Sequence, residues 1–154
     1  MVSFFKKKKT KAVQMRMSPY DDPAVFDMRQ DEEGIITNEM GGCCSVILMW
    51  GVYTTGRGFN NIRGQHGAGG PGALNWGELL RGFDRSVQNK IVMSCAPSDY
   101  ANYIDRIKTQ LSENRIQCRR DFLQYTNAIV WRDGSSQAYS YTTARDRNLE
   151  IRTW

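Results

Sequence analysis

The apolar positions of this chain fall into short segments with different periods. Ser45-Val46-Ile47-Leu48-Met49-Trp50 is a continuous apolar run between glycines, the pattern of a central strand buried on both faces. Ala12-Val13-Gln14-Met15-Arg16-Met17 alternates apolar and polar side chains as a half-buried strand does, and Lys90-Ile91-Val92-Met93-Ser94 reads as another strand. Asn127-Ala128-Ile129-Val130-Trp131 and Gln137-Ala138-Tyr139-Ser140-Tyr141-Thr142 flank Asp133-Gly134, the strongest short hairpin signal in the chain. Leu149 to Trp154 adds a last strand. Beyond Pro97, Ser98 or Asp99 is placed to cap a helix whose stripe is Tyr100, Tyr103, Ile104, Ile107 and Leu111. Trp76, Leu79, Leu80, Phe83 and Val87 also fall at helical spacing, although Gly77 and Gly82 weaken the helix they imply. These elements sum to an α/β or α+β sandwich, a mixed β-sheet with about two helices in a single domain.

Between the buried run and the weaker helix lies a glycine-rich stretch from Gly56 to Gly72, containing Asn60, Asn61 and Pro71. Its irregular spacing predicts a long loop, and long loops inside compact domains are usually functional or disordered. Residues 1–33 combine a lysine tail with Pro19, Pro23 and the charged stretch Arg29-Gln30-Asp31-Glu32-Glu33. They read as a basic N-terminal extension, partly flexible, ahead of a catalytic α/β domain over residues 34–154. The length of 154 residues suits one domain with a real core.

The formal charge of +5 suggests a nucleic-acid binder until its distribution is considered. Lys6, Lys7, Lys8, Lys9 and Lys11 supply five of the 21 basic residues, which leaves 16 basic against 16 acidic elsewhere. The body is neutral, so no specific nucleic-acid partner is expected. No apolar run is long enough to span a bilayer, and Met1-Val2-Ser3-Phe4-Phe5 lacks the ordered regions of a secretory signal. The expectation is a soluble, monomeric chain, cytoplasmic or delivered into a target cell by a signal-peptide-independent route.

The cysteines narrow the chemistry. Cys43 and Cys44 are adjacent, Cys95 and Cys118 are isolated, and the pattern is not a disulfide framework. With one histidine and no pair of ligand couplets, a zinc site is equally unsupported, and neither a metal nor another cofactor is expected. A cysteine nucleophile needs a base within reach and backbone donors for the oxyanion of its tetrahedral intermediate. Gly41 and Gly42 allow a sharp bend before Cys43 at the start of a buried strand. His66, the lone histidine, follows 23 positions later in Arg63-Gly64-Gln65-His66-Gly67-Ala68-Gly69-Gly70, far enough to return on a neighbouring strand. The plainer reading packs Cys43 in the core and leaves His66 idle in its loop. On these residues alone Cys44 is an alternative nucleophile.

The run Thr37-Asn38-Glu39-Met40-Gly41-Gly42-Cys43-Cys44-Ser45-Val46-Ile47 resembles the nucleophile segment of the Cys-His glutamine deamidases, the superfamily of the CheD-type chemoreceptor deamidases and the catalytic domain of cytotoxic necrotizing factor. In that family a small residue and glycine precede the cysteine and a short apolar strand follows it. Members also carry a site threonine six positions before the cysteine, where Thr37 stands relative to Cys43. The same count from Cys44 reaches Asn38, so the resemblance selects Cys43. It implies a thiol hydrolase that deamidates an exposed glutamine on a protein partner, as toxins and secreted effectors of this family do. It further implies Thr37 as the third member of the site and the backbone of Gly42 and Cys44 as the oxyanion donors. Gly67 and Trp76 are candidate substrate-binding positions beside the glycine-rich stretch.

Three other readings compete. A papain-like or cell-wall-type protease or amidase uses the same dyad but sets its cysteine at the start of a helix, whereas apolar β-formers follow Cys43 here. A non-catalytic interaction module keeps the cysteines in the core. A phosphate-cradling loop at His66-Gly67-Ala68-Gly69-Gly70 matches neither the dinucleotide nor the P-loop pattern. Trp131, Tyr139 and Tyr141 with Arg132 and Arg145 suit hairpin packing better than an RNA surface.

Overall fold

A computed structural model describes residues 9–18 and 25–153. In chain order its strands are β1 (Thr10–Gln14), β2 (Met17–Ser18), β3 (Phe26–Asp27), β4 (Gly34–Thr37), β5 (Cys44–Trp50), β6 (Asn61–Gly67), β7 (Asn89–Cys95), β8 (Arg119–Leu123), β9 (Ala128–Trp131), β10 (Ser136–Ala138) and β11 (Leu149–Thr153). The helices are α1 (Trp76–Leu79), α2 (Pro97–Glu113) and α3 (Tyr141–Asp146), with a 3-10 turn at Pro71–Ala73. They form a single α+β domain of two mixed sheets. One sheet has the order β10-β9-β4-β1-β11, and the other runs β2-β6-β5-β7-β8 with β3 also pairing β6.

Burial follows from the layering. Val13, Ile35 and Val130 of the first sheet meet Ile47, Met49, Ile62 and Val92 of the second in the core between them. On its other face the second sheet presents Cys44, Val46, Leu48, Ile91, Met93 and Cys95 to Trp76 and Leu79 of α1 and Ile107 and Leu111 of α2. Both faces of β5 are therefore covered, which is why its sequence reads as an unbroken apolar run. Every residue of β5 is buried.

Several expectations need correction. The stretch from Gly56 to Gly72 contains β6, a strand buried from Ile62 to Gly67 between β5 and the short strands β2 and β3. Its glycines record close packing. A Cβ on Gly64 would lie 2.9 Å from Met15 Sδ and 3.2 Å from Val46 O. The helix expected from Trp76 to Val87 stops at Leu79, and Gly82 takes φ +75° soon after it. The second expected strand of the hairpin ends at Ala138, because Ser140 caps α3 by accepting from the Thr143 amide. Helix α2 begins with Pro97 and has Ala96 at its cap, without the side-chain cap expected from Ser98 or Asp99.

The extension drawn over residues 1–33 is divided by the structure. Thr10–Gln14 is an internal strand, parallel to β4 on one side and β11 on the other, so this segment belongs to the core of the domain. Residues 1–8, which hold most of the lysine tail, lie outside the described residues. Among the described residues no helix is long and apolar enough to cross a membrane.

Candidate active site

Met40-Gly41-Gly42-Cys43 forms a β-turn closed by the Cys43 amide donating to Met40 O at 3.2 Å. Gly42 takes φ +75°, the left-handed conformation that a type II turn demands at its third residue and that glycine supplies without a Cβ penalty. The turn delivers the chain into β5. A Cβ at Gly41 or Gly42 would meet nothing within 4 Å, so the approach to this turn is open. Helix α2 grips the same turn from the side. Asp99 Oδ2 accepts from the Gly42 amide at 2.9 Å, and the Tyr103 hydroxyl donates to Gly42 O at 2.8 Å.

Strand alternation sends Cys43 and Cys44 to opposite faces. Cys44 is fully buried in the core beneath α2, on a position paired with Cys95 of β7. Burial pushes the Cys44 thiol well above its ordinary value, with a further push from its neighbours Cys95 and Cys43. The Cys95 thiol is pushed up to about 11, first by burial and then by the Asp99 charge. Neither sulfur is suited to nucleophilic work, which requires a thiolate. Cys43 instead turns toward β2, where its sulfur lies 3.8 Å from Met17 Sδ.

Met17 is also the strand partner of His66, and Ser45, two residues after Cys43, is paired with His66 from the other side. Cys43, one residue before β5, is thus diagonal to His66 of the neighbouring strand β6. His66 is 3% exposed, and neither Nδ1 nor Nε2 has a hydrogen-bond partner among the described residues. Burial lowers its basicity, which keeps the ring neutral at neutral pH. No hydrogen bond joins it to Cys43 in this structure.

The remaining predicted positions fare differently. Thr37 lies in β4 of the first sheet, fully buried, and its hydroxyl donates to Met40 Sδ at 3.3 Å. It makes no hydrogen bond to His66, so the expected orienting contact is replaced by one to the first residue of the Met40–Cys43 turn. Trp76 is a core residue, 8% exposed, whose indole N–H donates to Gln110 Oε1 at 2.9 Å, so it does not face a substrate. Gly67 is buried at the end of β6, paired with Cys44, and a Cβ there would press on Leu74 at 3.2 Å. The Gly42 amide, an expected oxyanion donor, is engaged by Asp99, and the Cys44 amide belongs to the first residue of β5.

Met17, Asp99 and Tyr103 escaped the sequence reading as site residues. Asp99 registers in sequence as a helix cap and Tyr103 as part of an apolar stripe, and nothing local announces that both reach back to a turn some sixty residues earlier. Among the described residues no cluster of histidine, cysteine and carboxylate side chains is arranged to hold a metal ion. Comparison of the chain with protein-family models, with curated proteins and with solved structures finds no match.

Proposed function

We propose that the chain is a cysteine-dependent amidohydrolase that deamidates a glutamine side chain exposed on a protein partner, with Cys43 as nucleophile and His66 as its base. The observation that carries this reading is the unpartnered imidazole. A buried polar group without a hydrogen bond costs about 1–3 kcal/mol, and native proteins seldom retain one without use. Without a hydrogen-bond partner among the described residues, His66 sits on β6 beside strand β5, which begins one residue after Cys43, in the neutral form a base requires.

In the proposed reaction His66 takes the Cys43 proton and the thiolate attacks the carboxamide carbon. The C–N bond breaks, and ammonia leaves with the proton returned by His66. Water, deprotonated by His66, then opens the thioester to give glutamate and the free thiol. The resting arrangement has Met17 against the sulfur, so reaction requires that side chain to move aside and the thiol to turn toward the ring. Met17 is 52% exposed, and such a movement disrupts no core packing. The choice of glutamine over a peptide bond rests on the resemblance of Thr37–Ile47 to the deamidases. A papain-like arrangement is disfavoured because Cys43 leads into strand β5, with no helix at that point.

A non-catalytic interaction module is the second reading. It is favoured by the engagement of the Gly42 and Cys43 amides within the protein and by the absence of a direct bond from Cys43 to His66. Incubating protein mixtures with wild type and variants, followed by peptide mass mapping, separates the two. Glutamine-to-glutamate conversion should fall on the order of a thousandfold or more in Cys43→Ser and His66→Ala, with melting temperatures near wild type. Cys44→Ser should retain most of it. Equal conversion by wild type and Cys43→Ser would leave the module reading standing.

A further inference from the structure

Resting on that reading, we infer that Tyr103 and Asp99 of α2 are positioning residues that hold the Cys43 turn in register with the His66 strand. Both polar groups of Gly42 are held by one helix. Its amide donates to the Asp99 carboxylate at 2.9 Å, and its carbonyl accepts from the Tyr103 hydroxyl at 2.8 Å. The residue so clamped is the left-handed one immediately before the nucleophile, where a small change in backbone angle swings the Cys43 side chain most.

Tyr103 also reaches the other half of the site. Gly70, four residues beyond His66 and with φ +102°, packs so closely on the Tyr103 ring that a Cβ there would lie 2.7 Å from Cζ. The ring is therefore wedged between the turn that presents Cys43 and the segment that leaves β6 after His66. Burial and the neighbouring Asp99 charge push the phenol up, so it stays protonated and keeps donating to Gly42 O. With the thiol at the end of the turn and the imidazole on β6, the two can meet only if the turn and the strand keep their offset. A single aromatic ring in contact with both segments sets that offset.

The pH dependence of Cys43 alkylation by iodoacetamide, followed by mass mapping, tests this in the full chain. The midpoint of the profile reports thiolate formation, whereas the plateau rate reports access of the reagent to the sulfur. The titratable and charged groups near the turn are His66, Asp99, Tyr103, Arg106, Cys44 and Cys95. Tyr103→Phe keeps the ring and loses the bond, and Asp99→Ala loses the acceptor. Each should raise the midpoint by about one pH unit, the tenfold effect of losing one strong hydrogen bond. Asp99→Asn, which keeps an acceptor, should return the midpoint to the wild-type value or below it.

The sign for Asp99→Ala is diagnostic, since removing a negative charge near a thiol would by itself lower the midpoint. A midpoint unmoved in Tyr103→Phe, or lowered in Asp99→Ala, would overturn the positioning role. His66→Ala separates the two levels of the argument. If its profile coincides with wild type, the pairing of Cys43 with His66 fails. If it differs while Tyr103→Phe matches wild type, the pairing stands and the positioning role fails.

Discussion

His66 is the single histidine of the chain, which makes its titration separable from that of every carboxylate. Burial holds its folded-state pKa below the ordinary value of 6.5. About a unit or more above pH 6.5 the ring is neutral whether the chain is folded or not, and it contributes no pH dependence. As pH falls below that value the unfolded chain binds a proton that the folded chain refuses, and stability is lost until the folded pKa is passed. Thermal melting between pH 7.5 and 5 should therefore fall more steeply for wild type than for His66→Ala, the difference isolating the histidine from the carboxylates. Parallel curves would mean that the ring titrates normally in the folded state. At this scale the residues alone left Cys43 and Cys44 as alternatives, and only the structure shows Cys44 packed in the core beneath α2 with Cys43 turned toward Met17. For Trp76 the apolar stripe already pointed to the core, and its indole N–H partner Gln110, 34 residues away, was not legible.

The glycine-rich stretch shows where element-level reading stops. Glycine suggests irregular chain, and at Gly42 that logic holds because φ is positive. At Gly64 the cause is different, since the strand is regular and the neighbours leave no room for a side chain. Composition cannot tell a turn from a crowded strand, and the difference appears only once β5 and Met15 are in place. Gly64→Ala should accordingly destabilise the fold by about 1–3 kcal/mol, the usual cost of overpacking a well-filled core. Urea unfolding measures it, and a variant as stable as wild type would show that Met15 can yield. Strand β5 and helix α2 were legible because their periodicity matches the layers that cover them. Strand β8 was not, since none of its residues is fully buried and Arg119-Arg120-Asp121 carries no apolar pattern.

The molecule as a whole is tied together by one buried guanidinium that no local pattern foretells. Arg132 is 1% exposed and donates to the carbonyls of Arg29, Glu32, Phe59 and Asn60, with Tyr53 stacked 4.2 Å from its centre. These groups come from the segment before β4, the connection between β5 and β6, and the β9–β10 turn. Arg132→Met fills similar volume but orphans the carbonyls, and it should cost about 3–5 kcal/mol in urea unfolding. A loss under about 1 kcal/mol would show that water replaces the guanidinium without penalty. The sandwich class follows from the alternation of strand and helix patterns, whereas the division into two sheets depends on long-range pairings such as β1 with β11.

The pairing of Cys43 with His66 is tested most directly by a glutamine-like electrophile whose covalent adducts are located by peptide mass mapping. A single adduct on Cys43 is expected, formed at least tenfold more slowly in His66→Ala, as loss of a general base requires. Labelling of Cys44 instead, or equal rates in wild type and His66→Ala, would contradict the assignment.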